Sequence, residues 1–196
     1  INFSHTHSGP MSGFEGYAPT KEKPAELAAY ESDLLARCTK MTLEAVERLQ
    51  DVTVHIHRGA SAIGINRRRR NADGSMDMGP NPDGFYNPDL WLMNLVATSG
   101  DDRCVLFNYG CHPVMVYGFA WDGVSADWPG ICRRRLVESL GDGVHAQFIQ
   151  GLAGNVRPRR LANLDDGTFR KSTPDDYLAT GQEIADDVVA ALTEGG

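Results

Sequence analysis

Cysteine is scarce in this 196-residue chain, and the four that occur (Cys38, Cys104, Cys111 and Cys132) show no CxxC spacing. That argues against a disulfide framework and a cysteine-type zinc site, and reads instead as buried free thiols of a reducing compartment. On that ground a soluble, cytoplasmic protein is expected. Apolar runs are short, and none approaches the ~18 residues of a membrane span. Positive charge is in deficit, with 19 Lys and Arg against 26 Asp and Glu for a net charge of −7. A general affinity for nucleic acid is therefore excluded. There is no GxSxG elbow, no HExxH and no GK[ST] after a glycine-rich turn, so common serine-hydrolase, zinc-protease and Walker-type chemistries lack their residues. Internal repeats and low-complexity segments are absent too.

What is present is ordinary globular patterning, with 41% hydrophobic and 23% charged residues. The length suits a single α/β domain spanning 1–196, long enough to bury roughly 70% of its unfolded surface. Residues 8–23 read as a loop. From Pro24 to about Gln50, apolar residues recur every three or four positions, which predicts a long amphipathic helix. "VTVHIH" alternates, placing Val52, Val54 and Ile56 on a buried face and His55 and His57 toward solvent. Residues 66–89 read as one long loop. "LWLMNLVAT" and "CVLFNYG" predict a strand pair, and "SADWPGICRRRLVESL" a helix with Asp127 as N-cap. "VHAQFIQG" predicts a further strand, and a last helix begins near Pro174. Interspersed strands and helices give an α/β fold, a mixed β-sheet flanked by helices.

The chemistry-bearing residues start with "SHTHSGP". The apolar start before it reads as the tail of a strand, where residues two apart share a face. His5 and His7 then point the same way just before a Gly-Pro turn, and strand ends are where α/β proteins place their sites. His112, in "NYGCHPVMVYG", likewise follows an apolar strand. Two such histidine motifs point to a metal site at strand ends, with zinc favoured because imidazole suits it. Catalytic zinc normally takes three protein ligands and keeps one position open, so two histidines are not a full set. Arginines cluster at Arg67–Arg70, at Arg133–Arg135 and at Arg157, Arg159 and Arg160. The middle group lies on a helix face and reads as solvated charge. The other two follow strands, where guanidinium groups can bind a carboxylate, a phosphate or a polarised carbonyl. Ser8 and Ser125 lack an evident base and are not assigned as nucleophiles.

Taken in order, "SHTHSGP", "GINR", "FNYGCHPV", "SADWPG" and "QGLAGNVRP" resemble the motifs of the neutral/alkaline (non-lysosomal) ceramidase catalytic domain, from the first residues to about residue 160. The resemblance implies a zinc-dependent hydrolase of an amide (N-acyl) bond, acting in lipid and sphingolipid metabolism. It implies His5 and His112 as zinc ligands, His7 beside the metal handling a proton, Arg67 facing the active site, and a structural role for Asp127. The chain departs from the family pattern at two points. Arg157 stands where the family's ceramidases carry a serine tied to their activity, which points from neutral ceramide toward a polar or anionic N-acyl substrate. The family's remaining zinc ligands, a glutamate and a tyrosine, lie well downstream of the matched stretch. The chain also starts inside what reads as a strand, so a fragment of a longer catalytic domain is expected.

The expected partner is thus a small-molecule or lipid-like N-acyl substrate, with Zn2+ as cofactor and His7, Arg67 and Arg157 as catalytic candidates. The competing reading is a non-catalytic relative whose arginines hold an anion. A metal-independent phosphate-handling enzyme rests on the arginine clusters alone.

Overall fold

A computed structural model describes residues 2–11, 18, 21–120 and 122–194. Its contacts divide into two units, Gly9–Asp51 on the one hand and Ile1–Ser8 with Val52–Gly196 on the other. The first unit is dominated by helix α1 (Ala25–Glu47). The helix forms where the three-and-four apolar spacing predicts it, and an Asp33–Arg37 ion pair of 2.7 Å one turn apart supports it.

The second unit contains a four-stranded sheet of order β1-β4-β5-β6, made of β1 (Val52–Ala60), β4 (Asp89–Ala97), β5 (Arg103–Tyr109) and β6 (Val144–Gln150). β1 and β4, and β4 and β5, pair antiparallel, whereas β5 and β6 are parallel. The parallel pair needs a crossover, and helix α2 (Asp127–Leu140) supplies it. Helix α3 (Pro174–Glu194) packs against α2 and β1. The expected mixed sheet with flanking helices is therefore observed. Leu90, Leu92, Val105, Phe107 and Phe148 point from the sheet into a core completed by Trp128, Ile184 and Val188. Alternation along β4 and β5 made both strands predictable, because every second side chain enters that core.

Three expectations fail, each for a physical reason. β1 is a strand, but its faces differ from the expectation: Val54 and Ile56 are 51% and 57% exposed and His57 is half-buried, while His55 is exposed as expected. Register explains this, since His57 lies opposite Leu92 and Gly59 opposite Leu90, both core residues. A Cβ on Gly59 would meet the Ala191 Cβ of α3 at 2.7 Å, so the helix fits only over the face that lacks a side chain there. Second, residues 66–89 are not one loop. β2 (Gly64–Arg70) and β3 (Met76–Asn81) form a hairpin, and β7 (Val156–Pro158) pairs on the other side of β2. The hairpin is held by a two-pronged Arg69–Asp77 ion pair (2.6 and 3.1 Å) and turns at Gly74, whose φ is +85°. β2 is mostly arginine and β3 is short and holds Gly and Pro, so apolar alternation gave no sign of it. Third, the described part of the "SHTHSGP" segment is not a strand end. Residues 2–6 lack ladder pairing; instead the Asn2 amide donates to the Phe148 carbonyl and accepts from the Gln150 N–H at the edge of β6.

Two short strands, β8 (Ala162–Asn163) and β9 (Thr168–Phe169), complete the unit. Among the described residues all four cysteines are free thiols, with Cys111 and Cys132 buried. Among the described residues no helix is long and apolar enough to cross a membrane.

Candidate metal centre

The connection between β5 and α2 carries His112, three residues beyond the end of the strand. The residue is buried, and its Nδ1 lies 2.9 Å from the Val156 carbonyl oxygen of β7. A carbonyl only accepts, so Nδ1 carries the proton and Nε2 keeps a lone pair for another partner. Burial, followed by the nearby charge of Arg67, pushes the His112 imidazole down to about 4, so it is neutral near pH 7.

The N-terminal segment is brought to His112 by bonds from both sides. The His7 N–H donates to the Pro113 carbonyl at 3.2 Å, and the Ser125 N–H donates to that of Ser8 at 2.7 Å. The Thr6 hydroxyl adds a bond of 2.8 Å to the Ser125 carbonyl. His5 adopts φ +57°, a left-handed conformation that strains a residue with a side chain by roughly 1 kcal/mol. The result is a three-histidine cluster. Ring centroids lie 5.1 Å apart for His5 and His7, 4.9 Å for His5 and His112, and 5.8 Å for His7 and His112. One ring nitrogen from each lies within 4.8 Å of the other two.

These residues fit a zinc ion. The Nε2 atoms of His5 and His7 are 3.4 Å apart. Two imidazole nitrogens bonded to one tetrahedral zinc at ~2.0–2.1 Å stand about 3.4 Å from each other. Two unprotonated nitrogens facing one another at that distance repel unless a proton or a cation lies between them. His112 brings a third nitrogen, already oriented by its carbonyl partner as metal-binding imidazoles usually are.

Two arginines flank the histidines. Arg67, on β2, donates from Nε to the Gly154 carbonyl at 3.1 Å. Partial burial, then repulsion from Arg68 and Arg157, lowers its pKa. Arg157, on β7, donates to the Tyr117 hydroxyl at 2.7 Å and stacks 5.0 Å over the Phe169 ring. The Tyr117 ring in turn lies 6.0 Å from that of His7. Desolvation first, then His5, Arg157 and Arg67, lowers the His7 pKa as well.

The sequence-predicted residues His5, His7, Arg67, His112 and Arg157 are thus brought into one neighbourhood. His55 and His57 lie on β1, outside the cluster. The Arg133–Arg135 group is exposed on α2, as expected. Asp127 does not cap its helix in the usual way. Its fully buried carboxylate accepts the N–H groups of Met115 and Val116 at 2.8 Å each and that of Trp128 at 2.7 Å. It thereby fixes the loop that runs from His112 to Tyr117. Tyr117 escaped the sequence reading, and its only signal was its place five residues after His112 in the same motif.

No family model and no curated protein matches the chain. Among solved structures, the chain is similar to the neutral ceramidase from Pseudomonas aeruginosa, with a TM-score of 0.54 and 18% identity. A ceramidase complexed with C2 matches with a TM-score of 0.53 and the same identity. Each match covers 74% of this chain but 23% of the other, so the chain spans about a quarter of the length of these neighbours. The likeness is one of fold.

Proposed function

We propose that this chain carries the metal-binding part of a zinc-dependent hydrolase of amide (N-acyl) bonds, related to the neutral ceramidases. The observation that supports this most is the 3.4 Å spacing of the His5 and His7 nitrogens beside a pre-oriented His112, on a ceramidase-like fold. His5 and His112 serve as two zinc donors. The spacing supports His7 as a third donor, in place of the proton-handling role implied by the resemblance. Three protein donors and one open position are the usual set of a catalytic zinc. When bound, the ion supplies Lewis acidity toward a carbonyl and lowers the pKa of water to about 7.

The chain's own residues do the rest. His112 holds its tautomer through Val156, which keeps its donor nitrogen aimed at His5 and His7. Arg67 presents a fixed cation whose N–H groups can stabilise negative charge developing on the amide oxygen. Its bond to the Gly154 carbonyl fixes the guanidinium plane before substrate arrives. Arg157, tied to Tyr117, lines the approach to the histidines.

The test is elemental analysis of the chain together with hydrolysis of a simple N-acyl substrate. About one zinc per chain is expected, absent from a His5→Ala/His112→Ala double variant, with activity lost on chelation and restored by zinc. Activity indifferent to the chelator would overturn the reading. A zinc-free, inactive chain that still binds anions would favour the non-catalytic relative.

A further inference from the structure

A cavity of about 570 Å3 is lined in part by Tyr117, whose ring lies 6.0 Å from that of His7. That volume suits a small organic molecule. Phe119 and Phe169 provide apolar lining, and Arg157, Arg170 and Lys171 provide charge, with no acidic residue in the wall.

The three cations are not equivalent. Arg170 is neutralised by Asp176, which accepts two bonds from it at 2.6 and 2.8 Å. Arg157 has no carboxylate partner among the described residues. Its terminal nitrogens meet only the Tyr117 hydroxyl and the Met78 sulphur, and its shielded Nε has no hydrogen-bond partner. Lys171 is exposed and likewise lacks an acidic partner among the described residues. On the histidine side, Arg67 also has no carboxylate partner among the described residues, and burial, then repulsion from Arg68 and Arg157, lowers its pKa. This concentration of uncompensated positive charge occurs on a chain of net charge −7. A paired ligand anion would relieve the repulsion, and a guanidinium offers a carboxylate charge-assisted bonds.

Building on the amidase reading above, we propose that the substrate is an amide bearing a carboxylate and an apolar body: an N-acylated amino acid with an apolar side chain. Arg157 and Lys171 hold the carboxylate. The side chain lies against Phe119 and Phe169, and the amide reaches past Tyr117 to the histidines. Hydrolysis breaks the acyl C–N bond; water gives its oxygen to the released carboxylic acid and a proton to the leaving nitrogen, freeing the amino acid. Arg157 links the two parts, since its Tyr117 partner borders both the cavity and His7.

The experiment compares N-acetyl-phenylalanine with its neutral carboxamide, N-acetyl-phenylalaninamide. Binding is measured by calorimetry on the chelator-treated chain, and release of the acetyl group is measured on the zinc-loaded chain. The acid should bind at least about tenfold more tightly than the carboxamide, the scale expected of charge-assisted bonds. Arg157→Ala should abolish that preference. Arg157→Lys should retain part of it and Lys171→Ala should weaken it, with circular dichroism confirming that each variant is folded. Equal binding of the two probes by the parent chain, or a preference that survives in Arg157→Ala, would overturn the proposal. Two results separate it from the amidase reading. A preference for the acid without zinc-dependent cleavage leaves the carboxylate pocket standing and removes the amidase. Zinc-dependent cleavage of both probes without preference does the reverse.

Discussion

The chain contains the pattern His-x-His twice, and the two copies end up with different surroundings. His55 and His57 sit in β1, a strand paired along its length with β4. There the i, i+2 spacing puts both on one face, His55 exposed and His57 half-buried, and among the described residues no third ligating side chain joins them. The ring nitrogens of His57 are shielded and have no hydrogen-bond partner among the described residues. His5 and His7 sit in a segment without ladder pairing, where His5 is free to take φ +57° and turn its ring toward His7. That segment is anchored by one bond to Pro113 and two to Ser125, which bring it against His112. Spacing makes two imidazoles neighbours, but a site arises only where a separate part of the chain delivers the third.

The strongest way to break this contrast is to remove that third residue. His112→Ala is expected to lower zinc affinity by more than about 100-fold, since even partners that merely orient a ligand contribute 10–100-fold. His55→Ala, in the β1 copy, should leave zinc content unchanged, as measured by elemental analysis after dialysis against a metal buffer. Zinc loss in His55→Ala, or retention in His112→Ala, would mean that the cluster has been misread.

His7 sharpens the contrast further. As a donor, it predicts that His7→Ala loses zinc together with activity. As a group handling a proton beside the metal, it predicts full zinc content with activity down about 10²–10⁴-fold. The two outcomes divide cleanly in one titration with a coloured chelator. Arg67→Ala should fall on the other side, keeping its zinc while kcat/KM drops by about 10²–10³-fold, the effect of losing one oxyanion donor.

The contrast also marks where sequence reading works. Strands β4, β5 and β6 and helices α2 and α3 were legible because each buries one periodic apolar face, whereas α1 forms where its periodicity predicts although none of its residues is buried. The β2–β3 hairpin was illegible for the opposite reason: its strands carry a run of arginines and the Arg69–Asp77 pair instead of a regular apolar alternation. β1 was recognised as a strand, but its buried face was not. Its pattern could not show that α3 needs the gap at Gly59, which commits His57 to the covered side. At the centre, His5, His7, His112, Arg67 and Arg157 were named from motifs, whereas their mutual geometry depends on contacts between residues 40 to 119 positions apart. The cavity was out of reach altogether, because its walls come from three separate segments around residues 117, 157 and 170.

Asp127 tests whether the loop behind His112 is as essential as the histidine itself. Its carboxylate satisfies three backbone N–H groups, so Asp127→Ala leaves three buried donors without a partner. A loss of about 3 kcal/mol in unfolding free energy is expected, at the order of 1 kcal/mol for each donor. Denaturant titration measures it. Burial raises the pKa of this acid, and the three N–H bonds oppose that shift. Asp127→Asn, which keeps an acceptor oxygen, should recover part of the loss.

The smallest effect separates failure of the centre from failure of the fold. In acid, zinc leaves because imidazoles become protonated, but the fold also weakens as its paired carboxylates are neutralised. Asp176 is one such carboxylate. Arg170 grips it from both prongs, and Thr173 at the start of α3 exchanges bonds with it in a capping box, the hydroxyl accepting the Asp176 N–H at 3.2 Å. The Arg170 bonds lead in holding the Asp176 carboxyl well below the usual carboxylate range, with Thr173 adding to them. A folded-state pKa below the unfolded value of ~3.9 means stability that is present above that value and lost as pH falls through it toward the folded one. Asp176→Asn should therefore be less stable than the parent at pH 7 and show a flatter decline in Tm between about pH 5 and pH 3. Zinc release should follow the same pH curve in both proteins, since neither Asp176 nor Arg170 belongs to the histidine cluster. If zinc release shifts with the variant, the centre is lost through unfolding of the chain, and the contrast between the two histidine pairs cannot be read from acid titration.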